Sequence, residues 1–165
     1  MAKAKTIDDL FYDTLKDIYY AERKILKTLP KMARGAHSPD LKAAFEKHRL
    51  ETEGQVGRLQ DVFEVIGKRA VGKTCDAIEG IVAEGEEILE EYGGTPAVDA
   101  GLIAAAQAVE HYEITRYGTL KRWAQLLGHK EAVALLDATL KEESQTDKDL
   151  TVLADAGVNE MAKAM

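Results

Sequence analysis

Cysteine occurs once in these 165 residues, at Cys75, so no disulfide can form within the chain. A lone cysteine of this kind reads as a small buried hydrophobe. Aromatic residues make up only 6% of a chain that is 45% hydrophobic, which suits an Ala/Leu-rich helical protein. No apolar run approaches the length of a membrane span, and the opening stretch MAKAKTIDDLF lacks the apolar core of a signal peptide. Basic residues are in the minority: 22 Lys and Arg stand against 29 Asp and Glu, a net charge of −7. That balance argues against a broad nucleic-acid surface, which needs clustered cations, and gives no support to binding of anionic membranes. What remains is a soluble, cytoplasmic protein with neither nucleic acid nor membrane as partner. Its length suffices for one domain, residues 1–165, with a sizeable core.

The helix punctuation is plain. Thr6 is placed to cap a first helix, with Asp9 three residues later completing a capping box. Gly35 ends that helix, and Ser38-Pro39 opens a second with a cap and a first-turn proline. Gly67 ends the second. Thr95-Pro96 repeats the device for a later helix that closes at Gly128, and a last helix reaches about Gly157. Pro30, the third of only three prolines, falls inside the first helical pattern and should kink it. Residues 74–92 read as a shorter amphipathic helix with Ile78, Ile81, Val82, Ile88 and Leu89 on one side. The tail GVNEMAKAM shows no strong pattern and is expected to fray. Two tight helical hairpins joined by a long connection predict an all-α four-helix bundle, with a crossover that carries a short extra helix between helices two and three.

What stands out is acidic residues in core positions. Residues 7–34 carry Phe11, Leu15, Ile18, Ile25, Leu29 and Met32 at helical spacing, interrupted by Glu22. Residues 39–67 carry Leu41, Ala44, Leu59, Val62 and Ile66, interrupted by His48, Glu51 and Gln55. Residues 96–128 carry Leu102, Ala106, Tyr117, Leu120, Ala124 and Leu127, interrupted by Glu110 and Glu113. Residues 129–156 carry Ala132, Leu136, Leu150 and Leu153, interrupted by Glu143. A lone buried carboxylate is expensive. Several at one level repel each other unless they share protons or a cation neutralises them.

Their heights coincide. Glu22 and Glu51 lie almost equally far from the turn near residues 35–38, and Glu113 and Glu143 are each 15 residues from Gly128. In antiparallel helices, equal distance from the turn means equal height. Glu22 is therefore expected to face Glu51, and Glu113 to face Glu143. Glu110 shares a face with Glu113, and His48 with Glu51. Oxygen and nitrogen donors converging in this way are what a di-metal site inside a bundle needs. Each residue taken alone also has a plainer reading. An isolated Glu can snorkel or pair with Lys, His48 can be an ordinary core or surface histidine, and Asp147, one turn after Glu143, can be surface charge. Glu142 competes with Glu143 for the inward position. Gln55 reads better as a hydrogen-bond partner of a ligand than as a ligand. Tyr20 and Tyr112 either flank the site or pack the core. His37, His111 and His129 are set aside, two of them in turns and one a quarter-turn off the Glu110 stripe.

The segments DIYYAERKILKTLPKM, HRLETEGQVGRLQDVFEVIG, CDAIEGIVAEGEEI and AAAQAVEHYEITRYGTLKRWAQLLGH resemble the YciF-like family of bacterial stress-response proteins. The resemblance covers nearly the whole chain and places it in the ferritin-like superfamily, similar to rubrerythrins. It implies a four-helix bundle, a carboxylate-bridged site for two metal ions (iron first of all) and a homodimer. Glu22 matches the single glutamate of the first ferritin-like helix, and Glu110 and Glu113 resemble the paired glutamates of the third. Glu51 and Glu143 match the glutamates that commonly bridge the metals. The family pattern of Glu-x-x-His on helices two and four is missing, because Gly54 and Thr146 stand where histidine is usual. His48 before Glu51, and Asp147 on the last helix, are the nearest substitutes. A donor set this rich in oxygen also suits manganese or another hard cation.

Three functions compete. A di-metal oxidoreductase would react with a small oxidant such as oxygen or peroxide. A non-catalytic stress protein would hold metal for structure or sequestration, or leave the carboxylates sharing protons, and work as a dimer. A storage cage has the least support, since nothing in the sequence indicates a large shell.

Overall fold

The structure is a computed structural model that describes residues 3–164. Its elements, in chain order, are α1 (Ile7–Gly35), α2 (Pro39–Val65), α3 (Asp76–Tyr92), α4 (Val98–Leu126) and α5 (Lys130–Leu153). A π turn at Ala154–Val158 and a short α6 (Asn159–Lys163) follow. Among the described residues there is no strand. The four longest helices pack in a ring, α1 on α2, α2 on α5, α5 on α4 and α4 on α1. The connection between α2 and α4 carries α3, which lies against α4 and α1.

Local sequence explains most of the ends. The Thr6–Asp9 capping box is formed in both directions, and Ser38 accepts from the Leu41 N–H ahead of Pro39. Gly67 and Gly128 take positive φ of 66° and 77° at the two turns, a conformation costly for other residues. α1 runs from Ile7 to Gly35 with Pro30 inside it. Three expectations need correcting. Thr95 does not cap α4, which starts at Val98 without a side-chain cap. Thr95 instead folds a tight turn, its hydroxyl donating to the Tyr92 carbonyl. The helix expected over 74–92 begins at Asp76, because the Cys75 sulfur accepts from the Ile78 N–H and stands at the cap. The tail expected to fray continues as helix to Lys163, since Gly157 at φ 142° absorbs the irregularity and lets the helix resume.

The core is a continuous apolar column, with Phe11, Leu15 and Ile18 of α1, Leu41, Phe45, Leu59 and Phe63 of α2, Leu102 and Leu120 of α4, and Leu136 and Leu150 of α5 all buried. α3 comes close to its neighbours at glycines. Gly35 packs directly on Leu89, and a side chain at Gly85 would sit 2.9 Å from the Met32 methyl.

A buried carboxylate fixes one end of the ring. Asp99 of α4 accepts from the backbone N–H groups of His37 and Ser38, each at 2.7 Å, and so ties the α1–α2 turn to the start of α4. Charged hydrogen bonds of this type contribute more than neutral ones, and losing the acceptor strands two amides. Asp99→Ala is therefore expected to lower stability by about 3 kcal/mol, read as a drop in the urea midpoint. An unchanged midpoint would show that the turn is held by packing alone.

Candidate metal centre

The inward face of α2 runs at heptad-like spacing through Leu41, Phe45, His48, Thr52, Gln55, Leu59 and Val62, all buried. The inward face of α4 brings Leu102, Glu110, Glu113, Tyr117 and Leu120 into the same interior. α1 adds Glu22 between Ile18 and Ile25, and α5 adds Glu143 between Thr139 and Leu150. Glu22, Glu110, Glu113 and Glu143 have no solvent exposure, and His48 has 3%. Helical periodicity carries these groups inward together with the buried residues one turn away on the same helices.

One ligand atom each from His48, Glu110, Glu113 and Glu143 falls within 4.8 Å of all the others. The His48 Nε2 lies 3.2 Å from Glu110 Oε1 and 3.9 Å from Glu143 Oε2. Neither oxygen nor nitrogen there makes a hydrogen bond of acceptable geometry. Glu22 joins the layer through Glu113, with which it is close enough to share a proton. Its other contact is Tyr117, whose hydroxyl donates to Glu22 Oε1 at 2.5 Å.

Burial dominates the electrostatics. It pushes the Glu22 carboxyl up to about 8, with the Glu143 carboxylate adding to the shift. Burial likewise holds Glu110 and Glu113 well above the ordinary carboxyl range, again reinforced by Glu143. It depresses the His48 imidazole, because the charged ring loses its hydration. No Lys or Arg side chain pairs with Glu22, Glu110, Glu113 or Glu143 among the described residues. Both oxygens of Glu110, Glu113 and Glu143, together with Glu22 Oε2, lack a hydrogen-bond partner. Native interiors leave only a few such groups, spread over the whole domain, and each calls for a physical reason.

Two candidate ligands are placed elsewhere. Glu51 lies on the flank of α2, a quarter exposed, with Lys47 Nζ at 3.6 Å and the Thr146 hydroxyl donating to it at 3.2 Å. The expected face-to-face pair of Glu22 and Glu51 is not formed. Thr52 and Gln55, not Glu51, take the inward line of the helix. Asp147 accepts from Gln107 at 3.3 Å and sits 3.1 Å from the exposed His111 ring, on the outside of the α4–α5 seam. Glu142, the rival of Glu143, points the other way. It forms a forked pair with Arg58 and accepts from Gln55 Nε2 at 3.1 Å. Tyr20 is hydrogen-bonded to Glu79 of α3, and Tyr112 lies 2.9 Å from the Cys75 sulfur; neither borders the layer.

Sequence reasoning overlooked Tyr117 and Arg58. Tyr117 reads as a member of the core stripe, yet a fully buried phenol needs a partner for its hydroxyl. Its position one turn after Glu113 was the available signal. Arg58 sits one turn after Gln55, and its role could be read only once the inward residue of α5 was known.

The profile of DUF892, a domain of unknown function, matches residues 6–163. The chain belongs to the DUF892 family. It is 43% identical over 160 residues to Escherichia coli protein YciF, covering 96% of each chain. The crystal structure of that stress protein superposes with a TM-score of 0.90 over 94% of this chain and 99% of YciF. YcfI from Rhodopseudomonas palustris, provisionally described as a structural protein, is 44% identical with a TM-score of 0.87, over 89% of this chain and 94% of its own. A DUF892-like arrangement of helices recurs in a protein of Xanthomonas campestris pv. campestris at 23% identity and a TM-score of 0.76, over 96% and 97% of the two chains. At that identity the likeness concerns the fold alone.

Proposed function

We propose that this DUF892 protein is a ferritin-like four-helix bundle whose buried carboxylate–histidine layer holds two divalent cations, iron or manganese, for reaction with a small oxidant. The observation that carries the reading is the row of seven unpartnered carboxylate oxygens from Glu22, Glu110, Glu113 and Glu143 at full burial. Shared protons can satisfy part of this set, but cations can satisfy all of it. Oxygen donors joined by one imidazole suit iron and manganese better than soft-ligand metals. His48, Glu110, Glu113 and Glu143 would form the inner ligands, and Glu22 would join from the far side of Glu113. The cations would supply redox capacity.

The chain's own groups do the rest. Tyr117 orients Glu22 by donating to one oxygen and leaving the other free. The Arg58–Glu142 pair, bridged to Gln55 and Thr139, anchors α2 to α5 beside Glu143 and keeps a compensated charge off the layer. The aliphatic column on either side keeps bulk water out.

A second reading has its own support. The Glu22–Glu113 and Glu110–Glu143 contacts, each close enough to share a proton, allow a metal-free protein with a structural role. Metal analysis of protein purified without chelators separates the two. The cation reading expects about two cations per chain. A chain that retains none, and whose melting midpoint is unmoved by added Fe(II) or Mn(II), overturns it in favour of shared protons.

A further inference from the structure

A cavity of about 40 Å³ lies directly against the His48 side of the carboxylate layer. Its walls come from residues one or two turns from the layer on each helix: Ile25 of α1, Phe45 of α2 and Ala106 of α4, with His48 itself at one end. Met32 lines it from further along α1, and Ile81, Val82 and Gly85 of α3 cover it from outside. Among the described residues, Thr28 and His48 are the only polar side chains on the lining. A water molecule needs roughly 10–15 Å³ of such space and two to four polar partners. The cavity has room for more than one water and offers too few partners to hold them. A hydrogen-bonding occupant would lose several kcal/mol of solvation on entry, whereas apolar cavities of modest size bind apolar gases. Small residues open the space among larger aliphatic walls: Ala105, Ala106 and Gly85 meet there, and even a methyl at Gly85 would press on the Met32 side chain.

We infer that this cavity under α3 binds a small uncharged apolar molecule of dioxygen's size and delivers it to the His48 face of the layer. The inference deepens the cation reading, on which its purpose rests, by choosing dioxygen over a strongly hydrated oxidant as the molecule admitted. It gives α3, otherwise an appendage to the ring, the task of roofing that path.

The test uses the full-length chain without metal, labelled with ¹³C at the methionine methyls and observed by NMR under oxygen and under nitrogen pressure. Met32 lines the cavity and Met161 is 69% exposed, so Met161 reports the bulk gas. Paramagnetic broadening at Met32 is expected to exceed that at Met161 at least threefold and to be suppressed by xenon, which competes for the same space. Ala106→Phe should fill the cavity and bring Met32 down to the Met161 level. Broadening at Met32 no greater than at Met161 in the wild type overturns the inference, as does broadening that persists undiminished in a folded Ala106→Phe variant. If that variant does not fold, xenon competition in the wild type decides alone. A chain that shows the Met32 effect but retains no cation supports the cavity while removing the cation reading. A chain that binds two cations and shows no Met32 effect does the reverse.

Discussion

Glu143→Gln is expected to abolish tight cation binding and, in the same protein, to raise the melting midpoint of the metal-free form. Glu143 is the residue whose charge bears on every part of the layer. It faces His48 at 3.9 Å, and it adds to the upward shifts of Glu22, Glu110 and Glu113. Removing that charge removes a ligand from the inner set and relieves repulsion among three other buried carboxyls at once. The amide keeps the volume, so no cavity term is added. In the wild type, a cation at about a hundred times its Kd adds about 2.7 kcal/mol, or roughly 5–10 °C in a chain of this size. That gain should vanish in Glu143→Gln. The metal-free variant should instead melt roughly 2–4 °C above the metal-free wild type for each kcal/mol of repulsion relieved. Scanning calorimetry with and without added Fe(II) or Mn(II) measures both. A variant that still gains stability from the cation would remove Glu143 from the inner ligands. Loss of stability in the metal-free state would show that Glu143 supports packing and does not oppose it. Glu51→Ala is the control. The bridging role implied by resemblance demands that it lose the cation, whereas its place on the α2 flank beside Lys47 and Thr146 predicts that it keep it.

The difference between Glu51 and Glu143 shows how far the sequence could be read. Hairpin symmetry gives height along a helix, since rise per residue is nearly constant, and the heights of Glu22, Glu110, Glu113 and Glu143 were legible for that reason. Azimuth is harder. Neighbouring residues on a helix differ by about 100°, so a stripe drawn one position off exchanges Glu51 for Thr52. α2 invited that error because its buried line contains His48, Thr52 and Gln55, which are as polar as residues on its outer face. α1, whose stripe is almost purely aliphatic, left no such ambiguity about Glu22. Asp147 failed differently. It is one turn from Glu143, but its helix has already turned it towards Gln107 and His111. The start of α4 is ambiguous in sequence because a Thr-Pro pair can close a turn, as Thr95 does here, as readily as open a helix. The partner of the Tyr117 hydroxyl and the fork between Arg58 and Glu142 are contacts between helices, and periodicity within one helix carries no information about them.

Without metal, the protein is expected to be more stable at pH 5.5 than at pH 8.5, the reverse of what paired surface carboxylates alone would give. Glu22, Glu110 and Glu113 all have folded-state pKa values raised by burial, Glu22 to about 8. A carboxyl that holds its proton more tightly when folded favours folding while that proton is present. Its contribution is complete below the unfolded value near 4.5 and is lost as pH rises through the folded value. Between those limits the folded state binds more protons than the unfolded, and stability falls by about 1.4 kcal/mol per pH unit for each proton by which they differ. His48 opposes the trend. Burial lowers its pKa, so its contribution is present above the unfolded value of 6.5 and declines as pH falls. Three raised carboxyls outweigh one depressed imidazole across this window. The exposed His111–Asp147 contact and the Lys47–Glu51 pair around the layer are too solvated to reverse it. A bound cation takes the place of the shared protons, so loaded protein should lose this slope and gain most from metal at high pH. Thermal melts in chelator across the range, repeated with Mn(II), measure both slopes. A metal-free midpoint that rises towards pH 8.5 would mean that the layer is ionised and solvated, and the case for a buried carboxylate site would fall with it.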